Sequence, residues 1–297
     1  MRKHTRMRAT TPLKRHNVGL FLRRFAKHIP AQELEVIPTG LHGNSFVFAY
    51  GEDRILKVNK PNTRPDLLKE AALNRYLAAQ DLPVEIAAPL EAHPQGFYAV
   101  YPRLGGAALT TERLNGFSAA DIERFCRPLA EFLAFVHGHD FPDAVGGLVP
   151  REEEDLSAGP RYVERYLGFI RRHAPETATD AWEARLEKLR DVAEKQVLCV
   201  NHGDVSFGNV LIDPDDPGRL AVIDFNDAEV CDASLDLSVF AEELEDEEVE
   251  AAPFVEALLR HYGGDTELLR RKIEFRLLLR DVYGMFRRVR RRMRPAG

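Results

Sequence analysis

The stretch Asn201-His202-Gly203-Asp204-Val205-Ser206-Phe207-Gly208-Asn209-Val210-Leu211-Ile212-Asp213, followed by Leu220-Ala221-Val222-Ile223-Asp224-Phe225, decides how this chain is read. Moving a phosphoryl group requires a carboxylate that orients the acceptor hydroxyl and hard oxygen ligands for Mg²⁺ beside the nucleotide phosphates. Asp204, Asn209 and Asp224 supply those oxygens at intervals of five and then fifteen residues. The apolar runs Val197–Val200, Val210–Ile212 and Leu220–Ile223 read as short buried strands, which sets the polar groups at strand ends. Asp213-Pro214-Asp215-Asp216-Pro217-Gly218 is a turn, so a hairpin returns Asn209 and Asp224 to the same end. An Asp after Gly is by itself an ordinary turn residue. The complete spacing points to a site for phosphoryl transfer from a nucleotide.

Upstream, Leu34–Ile37, Phe46–Tyr50 and Arg54–Val58 read as three strands. Between the first two lies a small-residue loop containing Gly40, Gly43 and Ser45, where backbone N–H groups can approach phosphate oxygens. Lys57 interrupts an apolar strand, and a buried ammonium needs a partner. Glu70, thirteen residues on, is that partner, carried by an amphipathic helix expected from Arg64 to Ala79. Ile86–Glu91 and Gly96–Tyr101 read as two more strands, and Pro102–Gly106 as a hinge. The peptide edge from Tyr101 through Arg103 to Leu104 is placed to hydrogen-bond a purine.

The remainder reads as mostly helical. Ser118 caps a helix running to His137, whose imidazole is expected to pack or cap rather than catalyse. Tyr162–Ala174 and Trp182–Glu194 follow as amphipathic helices suited to one wall of an acceptor site.

Composition narrows the class. A 44% hydrophobic content fits a globular chain, and no stretch approaches the roughly 20 apolar residues of a membrane span. The three cysteines, Cys126, Cys199 and Cys231, are odd in number and widely spaced, which argues against a disulfide framework or zinc site and for a reducing cytoplasm. The net charge of -6 conceals an acidic run from Glu242 to Glu250 and basic ends. The basic N-terminus lacks the apolar core of a signal peptide.

In order along the chain, the Gly-containing hairpin, Lys57, Glu70, the hinge, His202–Asn209 and Ile223-Asp224-Phe225 resemble the aminoglycoside phosphotransferase family over about Leu34 to Arg288. Val205-Ser206-Phe207, Ile223–Ala228 and Asp232 with Asp236-Leu237 look closest to the 2″-phosphotransferase branch. Gly203, where that branch has Asn, and Asn226, where it has Gly, depart from it. The resemblance implies an α+β, protein-kinase-like, two-lobed fold. A basic tail would cover residues 1–13, a small β-rich N-lobe 14–104 and a larger helical C-lobe 105–297.

It also implies that Asp204 orients the acceptor hydroxyl or takes its proton. Asn209 and Asp224 would bind Mg²⁺, Lys57 would contact the phosphates of ATP or GTP with Glu70 holding it, and the loop around Ser45 would cover them. Asp204, Asp227, Glu242 and Glu243 would face a cationic aminoglycoside. The same chemistry on a macrolide, sugar, amino alcohol or protein is the first alternative, and a nucleotide-binding interaction module without catalysis the second. The protein is expected to be monomeric and free of membranes. The arginine-rich C-terminus is expected to complement a helix dipole rather than bind nucleic acid.

Overall fold

The computed structural model describes residues 15–37, 45–60, 66–151 and 156–293. Its helices are α1 (Arg15–Phe25), α2 (Asp66–Leu77), α3 (Thr111–Asn115), α4 (Ala119–Gly138), α5 (Asp143–Gly146), α6 (Gly159–His173), α7 (Asp180–Leu189), α8 (Ser234–Asp246), α9 (Ala251–Tyr262) and α10 (Thr266–Arg292). The strands are β1 (Leu34–Ile37), β2 (Ser45–Tyr50), β3 (Arg54–Asn59), β4 (Glu91–Ala92), β5 (Tyr98–Pro102), β6 (Ala107–Ala108), β7 (Leu198–Asn201), β8 (Val210–Ile212), β9 (Leu220–Val222) and β10 (Glu229–Asp232). Two compact units result, and the division is not a single cut: residues 141–148 and 221–227 belong with the N-terminal 105 in the first unit. The basic N-terminal tail and the glycine loop of residues 38–44 lie outside the described residues.

The first unit is built on an antiparallel sheet in the order β1-β2-β3-β5-β4. Side chains alternate across a strand, and the sheet uses that alternation to keep two different faces. Phe48, Leu56, Val58, Tyr98 and Val100 point to one side, where Leu22, Phe21 and Phe25 of α1 close a core. Lys57, Ala99 and Tyr101 therefore point to the other. There Tyr101 and Ala99 pack with Ala87, and α2 runs against β3 and β5. Helix α1 has no counterpart in the sequence-based expectation. Its signal is short, Phe21, Leu22 and Phe25 set among basic residues.

The strand expected over Ile86–Glu91 shrinks to Glu91–Ala92, because Pro83 and Pro89 lack the N–H groups a ladder needs. A single parallel bridge, Glu85 with Ala221, remains, and the Val222 amide donates to the Glu85 carbonyl at 3.0 Å. That bridge draws the segment carrying Asp224 into the first unit.

The second unit is mainly helical. Its α4 starts with the expected Ser118 cap, as a full capping box with Asp121, and packs along α9. Phe125, Phe240 and Phe254, from α4, α8 and α9, form one aromatic core. A second core gathers Val163, Leu167 and Ile170 of α6, Leu186 and Leu189 of α7, and Phe275, Leu278, Val282 and Val289 of α10. Gly159 lets α6 approach α10 closely, since a Cβ there would lie 2.6 Å from the Phe275 ring.

Between these cores β7 and β10 pair, with Leu198 opposite Asp232. Asp232 is buried and fully engaged. It accepts from Lys272 Nζ at 2.7 Å, the Ser234 hydroxyl at 2.6 Å and the Val197 amide at 2.9 Å. Burial alone would raise its carboxyl, but Lys272, Ser234 and Val197 hold it below the usual range.

Lys272 is 1% exposed, so removing it strands a buried carboxylate. Lys272→Ala is expected to cost about 3–5 kcal/mol in urea denaturation, more than is lost when Asp232→Ala is then added to it. Equal and independent losses would show that the pair does not act as a unit.

Candidate phosphotransfer site

Lys57 is at the middle of the central strand β3, on the sheet face turned toward α2. Its Nζ donates to both carboxylate oxygens of Glu70, at 2.8 and 3.0 Å, and to Asp224 Oδ1 at 2.9 Å. Burial works against the ammonium, yet the Glu70 and Asp224 carboxylates outweigh it and hold Lys57 well above its ordinary value. A buried lysine is thus kept charged by two acids, one of them 167 residues away in sequence.

Asp224 has φ 70, in the left-handed region that non-glycine residues seldom adopt. Its neighbours Phe225–Asp227 form a 3₁₀ turn packed on α2, with Phe225 and Asn226 buried. Asn226 thus stands in helical backbone, where nothing demands the glycine of the related branch. Gly203 has φ 85. Asparagine is among the few side chains that tolerate this conformation, so the Asn-to-Gly departure there keeps one backbone geometry.

The expected nucleotide contacts change in detail. Ser45 is buried as the first residue of β2, and its hydroxyl donates to Asn59 Oδ1 at 3.2 Å. The Tyr101 side chain turns inward, where burial and then the Glu70 and Asp224 carboxylates push its phenol well above its usual value. The Arg103 amide donates to Asp53 O at 2.7 Å and is occupied. β4 pairs with β5 only at Ala99 and Val100, so among the described residues the Pro102 carbonyl and the Leu104 peptide have no backbone partner. Asp227, half-buried, lies in the 3₁₀ turn of this unit.

In the second unit the chain leaves β7 at Asn201 and turns through His202–Asn209 into β8. Asn209 Nδ2 donates to the Asp204 carbonyl at 2.9 Å and to Asp204 Oδ2 at 3.0 Å, which fixes the carboxylate. The Asn209 Oδ1 has no partner among the described residues. Asn209 Oδ1 and the Asp224 carboxylate are both hard oxygen donors of the kind Mg²⁺ takes, so each residue, considered within its own unit, fits that ion.

The loop itself hangs on Asp236, which is 0% exposed. Its Oδ2 accepts from the His202 amide and its Oδ1 from the Gly203 amide, each at 2.8 Å. His137 Nε2 lies 3.0 Å from Oδ2, and its Nδ1 lies 2.9 Å from the Tyr262 hydroxyl. A neutral ring protonated on Nε2 satisfies both contacts. Burial would raise the Asp236 carboxyl, but His137 and the loop amides hold it below the usual range. His137 is thus more than a helix end, since it carries the acid that carries the loop. The sequence signal was an Asp within the apolar run Leu235–Phe240, where an acid has to find a partner.

Glu243 Oε2 accepts from the Phe207 amide, so this carboxylate braces the loop as well as facing outward. Burial, aided by the Asp204 charge, pushes it up to about 7. Burial likewise raises Glu242 to about 7, against the pull of Arg280 and Arg276. Arg280 also pairs with Glu245 and Asp246, so part of the acidic run is neutralised within the unit.

Residues 33–273 match the model of the phosphotransferase enzyme family (APH). The chain belongs to that family. Among solved structures it is similar to the GDP and kanamycin complex of APH(2″)-IIIa, with a TM-score of 0.71 at 18% identity over 94% of each chain. The streptomycin-ATP-APH(2″)-IIa ternary complex gives 0.62 at 22% identity, covering 94% of this chain and 91% of the other. The apoenzyme of the macrolide 2′-phosphotransferase MphH from Brachybacterium faecium gives 0.54 at 18%, covering 90% and 92%. These likenesses establish the α+β, protein-kinase-like fold of this phosphotransferase. No curated protein matches the sequence.

Glu243 generates a pH test. Its folded value near 7 lies above the ordinary 4.5, so the folded chain keeps a proton that the unfolded chain has released. The resulting stability is complete below about 4.5 and is lost as pH rises through about 7. In Glu243→Gln, which retains an acceptor for the Phe207 amide, the melting temperature should fall less between pH 5 and pH 8 than in the wild type. An unchanged fall would place the titration elsewhere.

Proposed function

We propose that this phosphotransferase moves the γ-phosphoryl group of ATP or GTP onto a hydroxyl of a cationic aminoglycoside, in the cytoplasm and as a monomer. The observation that carries the transfer chemistry is the charged Lys57 held between Glu70 and Asp224. Asp204 accepts the proton of the attacking hydroxyl as the new O–P bond forms, while the bond between the β- and γ-phosphates breaks and the nucleoside diphosphate leaves. Asn209 and Asp224 would hold Mg²⁺, whose chemistry is neutralisation of the phosphate oxygens. Lys57 meets the phosphates, and the peptide edge at Pro102–Leu104 takes the base.

The aminoglycoside reading rests on Asp204, Asp227, Glu242 and Glu243 as carboxylates for an acceptor rich in ammonium groups. Related structures hold kanamycin or streptomycin. The three cysteines are buried free thiols, as suits a reducing compartment. No described helix is long and apolar enough to cross a membrane.

A second reading, a less cationic hydroxyl acceptor such as a macrolide, draws on one specific feature. Arg280 already pairs with Glu245 and Asp246 and lies beside Glu242, which lowers the negative charge left for a polycation.

Diphosphate release with Mg²⁺, ATP or GTP and a panel of kanamycin, a macrolide, choline and simple sugars separates the two. Turnover is expected with kanamycin, and turnover only with another acceptor would overturn the aminoglycoside assignment. With the accepted substrate, Asp204→Asn should lower kcat by about 10²–10⁴ while nucleotide affinity stays within about twofold. Undiminished turnover would remove Asp204 from its role.

A further inference from the structure

Helix α10 is 27 residues long and carries arginines of two kinds. Through Arg280 each one is engaged. Arg270 bonds Glu256 and Glu267, Arg271 bonds Asp191, Arg276 donates to the Ser234 hydroxyl, and Arg280 meets Glu245, Asp246 and Asp281. Past Asp281 the pattern changes. Arg287, Arg288, Arg290, Arg291 and Arg292 have no acidic partner among the described residues. Arg287, half-buried, and Arg290 lie over the rings of Tyr283 and Phe286, at 5.7 and 6.0 Å, and Arg288, Arg290, Arg291 and Arg292 are exposed. A helix C-terminus carries only about half a negative charge, which one or two of these cations complement. Five within six positions exceed that need, and the chain as a whole, at net charge -6, offers no general basicity to explain them.

The other face of the same segment is occupied. Val289 is 4% exposed in the core shared with α6 and α7, and Tyr283, Met285 and Phe286 pack against that core. The Phe286 ring sits 4.6 Å from Tyr166 and 4.9 Å from Phe169 of α6. A helix that lies on a bilayer needs its apolar face for the acyl boundary, and here that face is already buried in the protein. Every cation after Lys272 is an arginine, and beside the last of them Met293 is 50% exposed. The guanidinium fork takes phosphate oxygens bidentately, which an ammonium does not.

Arg288, Arg291 and Arg292 share one side of the helix at i, i+3 and i+4. Arg287 to Arg292 extend about 7.5 Å along the axis at 1.5 Å per residue. Successive phosphates of one strand rise about 3.4 Å along a duplex axis, so the segment can meet two or three on one strand and others across a groove. From this we propose that the arginine face at the end of α10 binds the phosphodiester backbone of a nucleic acid duplex, without reading its sequence. The proposal departs from the sequence-based expectation that these arginines complement the helix dipole and solvent. The proposal is independent of the acceptor and of the phosphotransfer site.

The test is fluorescence anisotropy of the full chain with labelled RNA and DNA duplexes across a salt series, alongside phosphatidylserine vesicles. Saturable duplex binding at about 50 mM salt is expected, with log K falling against log salt at a slope of about −4, from roughly 0.9 per phosphate neutralised. The RNA and DNA arms show which backbone is preferred. The triple variant Arg288→Gln, Arg291→Gln, Arg292→Gln should bind at least tenfold more weakly with a slope flatter by about 3, while its diphosphate release matches the wild type. The corresponding triple Arg→Lys variant should keep most of the slope. Absence of duplex binding at low salt, a salt-insensitive affinity, unchanged binding by the Gln variant, or binding to vesicles alone would each overturn the proposal.

Discussion

One buried ammonium organises the first unit. An isolated lysine in the interior would shed its proton rather than bear the desolvation cost. Lys57 does not, because Glu70 and Asp224 close on it at 2.8 and 2.9 Å. Much else follows from keeping that charge: α2 must lie against the face of the sheet that carries Lys57, and the segment around Asp224 must join the unit formed by the first 105 residues and residues 141–148. The left-handed backbone at Asp224 costs of order 1 kcal/mol, and the ion pair and the buried Phe225-Asn226 turn offset it. On the proposed reading, the same acid that holds the lysine would offer oxygen to Mg²⁺.

The second unit solves a matching problem with the opposite sign. Asp236 is a fully buried carboxylate, and the groups that satisfy it are backbone amides of His202 and Gly203 together with His137. Two donors from the loop and one from α4 mean that the loop cannot move without leaving an acid unsatisfied, a loss of several kcal/mol in a dry site. Tyr262 steadies the ring of His137 from α9, and Glu243 braces Phe207 further along. Asp204 is then aimed by Asn209. A phosphotransferase needs little covalent chemistry of its own and much positioning, and buried charges met by fixed hydrogen bonds are how this chain supplies it.

The parts of this arrangement visible in the sequence were those with local grammar. The Ser118 cap, the alternation in β2 and β3, and a lysine inside an apolar strand each announce themselves, and Lys57 with Glu70 could be paired from the demand for a counter-charge alone. What stayed hidden depends on long-range contacts. That Asp224 touches Lys57 rests on a bridge between Glu85 and Ala221 that no local pattern encodes. The small residues before Ser45 suggest a loop, whereas its hydroxyl finds Asn59 across the hairpin. Nothing local to Arg103 signals that its amide donates to the Asp53 carbonyl. The apolar run before Leu90 suggests a strand that Pro89 interrupts.

The central claim is that Lys57 is charged at rest and is the group that meets the nucleotide phosphates. Its side-chain ammonium signal, followed by NMR as ATP and Mg²⁺ are added, tests this most directly. The account predicts a protonated amine in the free protein from pH 6 to pH 9, moving saturably with nucleotide. A Lys57 that is neutral near pH 7, as an unpaired buried lysine would be, or a signal that stays still while nucleotide binds, would contradict it.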